Sequence, residues 1–540
     1  MMAGPDLTLL NWFLAAAPIV LLVLAIMRLR WSAPRAGGLS WLAAAALALW
    51  VFGNSYHGVA VASAKGLSLA LFVLTILWAS VYMYNLVERT GGIDAIGRAM
   101  ARAASDPLTQ ALLIAWGFAS FIQGITGFGV PVAVAAPLLM MLGFPPARAA
   151  AMVLVGHGWA VTFGSMGSSY YTIQLVTGIP GEVIGPHMAL LFAPVTIASG
   201  MLVAHIHGGL RAVWRSLPLV APVGAAMAAA TWLMADLGAP QIASSVPGLI
   251  ALAAIPLGGR IGLVRPEPAP TAAPASDAQP AQADVPAPEG HRMSFHLGFM
   301  PYYLLIGLSV LSQLTPVRDA ALNLSWGLDY PGFLTDTGYA VAPAAGYAAI
   351  RLLNHPAPLI IISVAASMAA LALAGYWKRG AGWEAVRLTY SQSLSTTVGV
   401  GTMVMMAVVM ADTGLTALLA QGIAKASGPL FPFVSPFIGA LGSFMTGSNT
   451  NSNVLFGVLQ TETARSLGVG QVTIASIQSV GASVGSSMAP AKVLVGAALV
   501  GLAGREHLIM RLTVPYVLAL VAIAGLTAIV LVELIPEWTR

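Results

Sequence analysis

Two polar, glycine-rich stretches interrupt a chain that is otherwise almost wholly apolar. The first, Phe121 to Gly129, reads FIQGITGFG, and the second, Phe444 to Asn453, reads FMTGSNTNSN. Both open on Phe-x-x-Gly, with Phe121 matching Phe444 and Gly124 matching Gly447, 323 residues apart. Lipid offers no partner to open backbone, so non-helical peptide survives at membrane depth only where protein or a water-filled cavity satisfies it. Matching breaks in the two halves of a membrane chain point to a transporter's binding site.

Composition places the chain in a bilayer. Of its 540 residues 58% are hydrophobic and only 8% charged, against roughly 25% charged in soluble domains. The net charge of +5 implies no nucleic-acid partner, because the basic residues cluster at helix ends. With no cysteine, disulfides, a thiol nucleophile and a Cys metal site are excluded. An intramembrane enzyme needs a nucleophile with a base, or a metal cluster. The chain offers no HExxH and no paired intramembrane carboxylates, so no enzymatic activity and no metal or other cofactor is expected. The apolar run 7–27 is followed by Arg28, Arg30 and Arg35 and reads as a retained first helix, not a cleaved signal.

Apolar runs of about 20 residues predict an all-α polytopic fold. Twelve full spans are expected: 7–27, 39–55, 66–87, 148–168, 188–208, 217–238, 243–263, 298–314, 357–377, 393–413, 471–492 and 508–534. The segments 108–142 and 429–458 are broken in the middle and read as re-entrant helical hairpins. With the N-terminus outside, 17 of the 24 basic residues fall on the inner side, as the positive-inside rule asks. Both termini are then extracytoplasmic, and the hairpins open to opposite sides. The chain therefore divides into a first inverted repeat (1–208), two inserted spans (209–264), a cytoplasmic linker (265–297) and a second inverted repeat (298–540). The linker's 265–292 stretch carries seven prolines and is expected to be extended and solvated. Residues 315–355 form an external loop whose Trp326, Tyr330 and Tyr339 suit an interfacial layer.

The breaks suit a small anion. A buried charge must exchange water for donors, and broken helices supply backbone N–H groups at positive dipole ends. The first break offers Gln123, Gly124, Thr126, Gly127 and Gly129. The second offers Gly447, Ser448, Asn449, Thr450, Ser452 and Asn453, among seven polar residues in the eight from Thr446 to Asn453. The following helices, 148–168 and 471–492, are interrupted in turn, at Gly164 and Ser165 and at Ser486 and Ser487. Lys492 is an intramembrane cation and so a candidate partner for a carboxylate. His157, between two glycines, is a candidate proton carrier. Asp412 is a second, placed near the outer end of its span in reach of water. Small-residue packing and a snorkelling lysine are the competing structural readings.

FIQGITGFGVPVAVAAPLLMMLGF, AVTFGSMGSS, FMTGSNTNSNVLFGVLQ and MAPAKVLVGAALVGLAGRE resemble the bacterial L-lactate permease family, over nearly the whole chain apart from the linker. The resemblance implies transport of lactate, glycolate and related 2-hydroxy monocarboxylates, generally with protons, in the bacterial inner membrane. It also implies a scaffold domain, a mobile transport domain moving elevator-fashion, and a homodimer. Ser448-Asn449-Thr450 is similar to the hairpin-tip motif of sodium-coupled dicarboxylate carriers, which keeps Na+ and another organic anion as the alternative. Gln123 and Asn449 stand where the family pattern carries acids.

Overall fold

The structure is a computed structural model that describes residues 7–104, 106–127, 129–264 and 293–534. The Pro/Ala-rich stretch 265–292, Phe128 and Arg540 lie outside the described residues. Helices dominate because each satisfies its own backbone, which a bilayer core requires. In chain order they are α1 (Leu9–Met27), α2 (Ala33–Trp50), α3 (Tyr56–Arg89), α4 (Gly92–Ala103) and α5 (Pro107–Ile125). Next come α6 (Val130–Met141), α7 (Pro146–Gly156), α8 (Gly164–Thr177), α9 (Gly181–Asp236) and α10 (Ser245–Arg260). The second half adds α11 (Phe295–Leu311), α12 (Thr315–Asn323), α13 (Pro356–Leu373), α14 (Ala381–Asp412) and α15 (Leu415–Ser427). It ends with α16 (Phe431–Thr446), α17 (Asn449–Leu467), α18 (Gln471–Gly485), α19 (Pro490–Leu499) and α20 (Glu506–Leu534).

Among the described residues ten helices are long and apolar enough to cross a membrane, against the twelve expected spans. The expected spans 188–208 and 217–238 lie on either side of a break in α9 at Gly208 and Gly209, whose φ/ψ are not helical, so they are two helices as expected. The expected span 298–314 corresponds to α11, whose 17 residues place it with the shorter apolar helices. The expected span 148–168 is two helices, α7 and α8, joined through a 3-10 turn at Gly158–Val161.

The chain is also not wholly helical. Inside the expected external loop, β1 (Ser325–Tyr330) pairs antiparallel with β4 (Ala344–Arg351), and β2 (Phe333–Leu334) with β3 (Ala340–Val341). Tyr330 ties this β-hairpin to α3: its hydroxyl donates to the Ala64 carbonyl (3.0 Å) and lies 2.6 Å from Ser68 Oγ. Tyr330 thus acts as a dock on α3.

Two apolar cores form. One gathers α1, α2, α3, α14 and α15, with Ala44, Leu69, Met403 and Leu418 buried. The other, larger, gathers α5 to α10 with α16, α18 and α20, around Trp116, Trp159 and Phe192, and takes in a second face of α3 with parts of α4, α11 and α13. Helix α17 lies between them: it packs on α16 and α18 and also meets α14 and α15. Side chains such as Trp50, Trp214 and Leu373 face outward, as a lipid-solvated surface allows.

Candidate functional site

The second break is shorter than its polar sequence. Gly447, at φ 73°, ends α16, and Ser448 caps α17, its Oγ accepting from Asn451 N at 3.3 Å. Asn449 to Asn453 are therefore not loop but the first turn of α17, all buried. They spend their side chains on neighbouring elements. Asn449 Nδ2 donates to Thr162 Oγ1 (2.8 Å), and Asn453 Nδ2 donates to the Ser169 carbonyl (3.0 Å) and Ser479 Oγ (2.9 Å). Thr450 Oγ1 lies 2.9 Å from Ser169 Oγ. Ser452 Oγ turns back to the Gly439 carbonyl (2.7 Å) and also receives Gln478 Nε2 (3.1 Å).

The first break ends α5 at Thr126, whose Oγ1 donates to the Ile122 carbonyl at 3.0 Å. Gly127 and Gly129 follow in the left-handed region, at φ 70° and 86°. Beside them α8 begins with a left-handed turn of three residues, Ser165 (φ 48°), Met166 (φ 55°) and Gly167 (φ 76°). Each non-glycine residue in that region costs about 1–2 kcal/mol, and Met166 is held there fully buried. The turn brings Ser165 Oγ to 3.4 Å from the Thr126 carbonyl. Side chains are excluded at the contact: a Cβ on Gly164 would stand 2.7 Å from Gln123 Nε2, and one on Gly124 2.7 Å from Ser245 N.

The third part follows α18. A 3-10 turn at Ser486–Met488 leads into Pro490, and Lys492 in the first turn of α19 folds back to donate to Ser486 Oγ at 2.8 Å. Lys492 is buried within the protein. A Cβ on Gly447 would meet Ala491 at 3.3 Å, and one on Gly129 would meet Val495 at 3.9 Å. The start of α19 thus lies between both breaks. His157 caps α7 with Nδ1 2.5 Å from the Val153 carbonyl. Its neighbour Gly158 approaches Ser487, and the Gly158 carbonyl accepts from Ser483 Oγ at 2.7 Å.

At the centre stands Thr162, which sequence reasoning did not single out. It receives Asn449, donates to the Ser479 carbonyl (3.0 Å), and its N–H donates to Ser483 Oγ (3.2 Å). Ser479 and Ser483 were missed too, as was the buried chain Ser435–Gln460–Gln478 that joins α16, α17 and α18. A polar stripe at i, i+3 and i+7 along α18, Ser476, Ser479 and Ser483, was the available signal, since those positions share one helix face.

Several buried atoms in the cluster have no partner among the described residues: Gln123 Oε1, His157 Nε2, Asn449 Oδ1, Asn451 Oδ1, Asn453 Oδ1 and Ser487 Oγ. Buried polar groups are nearly always paired, so these atoms are free to accept a further polar partner. The expected residues of both breaks, α8, Ser486, Ser487 and Lys492 come together in this cluster. Asp412 does not. It lies at the end of α14 in the other core, paired with Lys65 Nζ at 2.6 Å and largely shielded from water, contrary to the expected exposure.

A cavity of about 380 Å³ reaches the first break from between α3 and α14. Thr126 and Gly129 line one wall, Tyr84 and Glu88 of α3 and Gln392 and Thr396 of α14 the others.

The family model described as L-lactate permease matches residues 11–535. The chain is 28% identical to an L-lactate permease of Escherichia coli (strain K12), over 98% of this chain and 97% of that one. It is 29% identical to an L-lactate permease of Bacillus subtilis (strain 168), over 82% of each. To the glycolate permease GlcA of Escherichia coli (strain K12) it is 27% identical over 96% of this chain and 95% of that one. Among solved structures, the Alcanivorax borkumensis YdaH transporter superposes with a TM-score of 0.44 at 16% identity, covering 87% of this chain and 86% of that one. That likeness is too loose to carry an argument. The helix-broken polar cluster and the match along nearly the whole length agree: the chain belongs to the L-lactate permease family.

Proposed function

We propose that this chain is a secondary carrier of small 2-hydroxy monocarboxylates, L-lactate or glycolate, with a proton as the coupled ion. One observation carries the reading: two helix breaks converge on a buried cluster with unpartnered polar atoms and a single lysine. Lys492 and the N–H groups that open α17 suit a carboxylate, and the free amide oxygens of Asn449 and Asn453 suit a 2-hydroxyl. Relatives named as L-lactate and glycolate permeases support that substrate class.

The proposal extends to architecture. The helix pairs 108–142 and 429–458 act as re-entrant hairpins in an inverted repeat of twelve spans, with both termini outside the bacterial inner membrane. The larger core moves as the transport domain against the α1–α3 and α14 scaffold, in a homodimer. The smaller core over α1, α2, α14 and α15 and the cavity between α3, α14 and the first break support this division. His157, buried with Nε2 unpartnered, is assigned the proton. Asp412, engaged by Lys65, is assigned none.

Three unpartnered asparagine oxygens favour Na+ as a second reading, because hard cations prefer oxygen ligands. Uptake of labelled L-lactate and glycolate into proteoliposomes, with proton and sodium gradients imposed separately, tests both. Uptake that follows the pH gradient supports the first reading, and uptake that requires sodium selects the second. No uptake by folded protein overturns the substrate assignment.

A further inference from the structure

Basic side chains gather around the start of α5. Arg102 lies in the last turn of α4, Arg260 ends α10, Arg148 lies in the first turn of α7, and Arg215 follows the break in α9. Two cavities open among them, on either side of the Asp106–Pro107 corner. One, of about 210 Å³, is walled by Arg102, Arg260, Asp106 and Thr109. The other, of about 220 Å³, is walled by Arg148, His207, Leu142 and Pro107. Among the described residues lining either cavity, Asp106 is the one acid. Its carboxylate is already engaged. Oδ2 accepts from Thr109 N (2.8 Å) and Thr109 Oγ1 (2.9 Å), which caps α5, and Arg215 Nη2 stands 4.0 Å from Oδ1. Arg102, Arg148 and Arg260 have no ion-pair partner among the described residues. Apolar side chains stand exposed at the same helix ends: Met141 beside Leu142, Leu257 and Ile261 on either side of Arg260, and Trp214 next to Arg215.

We propose that the two cavities hold the phosphodiester headgroups of anionic phospholipid, with acyl chains laid over the exposed apolar residues beside them. A guanidinium fork matches the paired oxygens of a phosphate, and basic pockets between membrane helices take such headgroups. A free phosphate shares that contact but makes no use of the apolar rim. The positive-inside rule accounts for basic residues at helix ends but not for cavities between them. Arg28 and Arg35, exposed at the end of α1 and the start of α2, line neither cavity. A lipid bound here bridges the foot of α5, the helix that carries the first break, to α4, α7 and α10.

The inference is independent of the carrier reading, because its test measures binding and not transport. The purified full chain, stripped of lipid in neutral detergent, is titrated with dioleoylphosphatidylglycerol or dioleoylphosphatidylcholine, and bound lipid is counted by native mass spectrometry. The expected result is phosphatidylglycerol bound at least about tenfold more tightly than phosphatidylcholine, and not displaced by excess sodium phosphate. Arg102→Gln with Arg260→Gln, and separately Arg148→Gln, weaken that binding by roughly fivefold per arginine. Arg28→Gln with Arg35→Gln leaves it unchanged. Equal binding of the two lipids by wild-type protein overturns the inference without any variant. Displacement by phosphate overturns it and makes the cavities a site for a soluble anion. Wild-type binding by the cavity variants, or an equal loss in the Arg28 and Arg35 variant, overturns it in favour of diffuse surface charge. Should a cavity variant fail to fold, the wild-type preference and the Arg28 and Arg35 control decide the matter.

Discussion

Thr162 shows how much one small side chain sets in this molecule. Its hydroxyl is the meeting point of Asn449 from α17 and Ser479 from α18. Thr162→Val keeps the shape and removes the oxygen. It leaves Asn449 Nδ2 buried without a partner, a loss of about 1–3 kcal/mol. Lactate uptake should fall at least about tenfold for a misplacement of this kind, with membrane expression retained and Thr162→Ser restoring uptake. Fluorescence-detected melting and proteoliposome uptake on the same preparations check it. Substituting Asn449 with Leu should abolish uptake in the same assay, since that residue both braces Thr162 and presents a free oxygen. The polar runs at both breaks were legible because polar residues stand out in apolar sequence. Thr162 was not, since a lone threonine inside AVTFGSMGSS carries no signal until the fold puts Asn449, 287 positions away, against it.

At the level of elements, the helix breaks obey local rules. Gly447 ends α16 in the left-handed region, as glycine readily does, and α17 restarts after a single capping serine. Gly447→Ala adds a Cβ where φ is 73° and Ala491 is 3.3 Å away. The expected cost is about 1 kcal/mol, seen as a lower melting temperature together with reduced uptake. The left-handed turn at Ser165–Gly167 is a different device. No composition rule foretells three such residues in a row, because two of them are not glycine. The turn persists because surrounding packing over-determines it, and strain of this kind gathers at binding sites. Hydropathy likewise located most helices within a few residues, and it separated the two halves of α9 where Gly208 and Gly209 leave the helical region. The β-hairpin over 325–351 escaped: its strands are short and carry register shifts, so their period was too brief to read.

For the whole molecule, the pairing of Lys65 with Asp412 locks α3 to α14 across 347 positions of sequence. Tyr347 of the β-hairpin adds its ring 5.3 Å from the same ammonium, so the β-hairpin is fastened to this core. Removing one partner from a buried pair strands the other charge, at about 3–5 kcal/mol. Lys65→Met should therefore melt well below wild type, and Lys65→Met with Asp412→Leu should recover most of the loss. Asp412→Asn should leave the pH dependence of lactate uptake unchanged, because Asp412 belongs to the core opposite the polar cluster. Sequence gave no view of this pair, since neither residue has a charged neighbour within a helical turn.

The 380 Å³ cavity has a pharmacological consequence. Its walls come from α3 and α14, with Tyr84 and Gln392, and from the first break and α19, with Thr126, Gly129 and Val495. A compound shaped to fill it would touch both at once and act as a wedge. It would arrest the carrier without resembling its substrate.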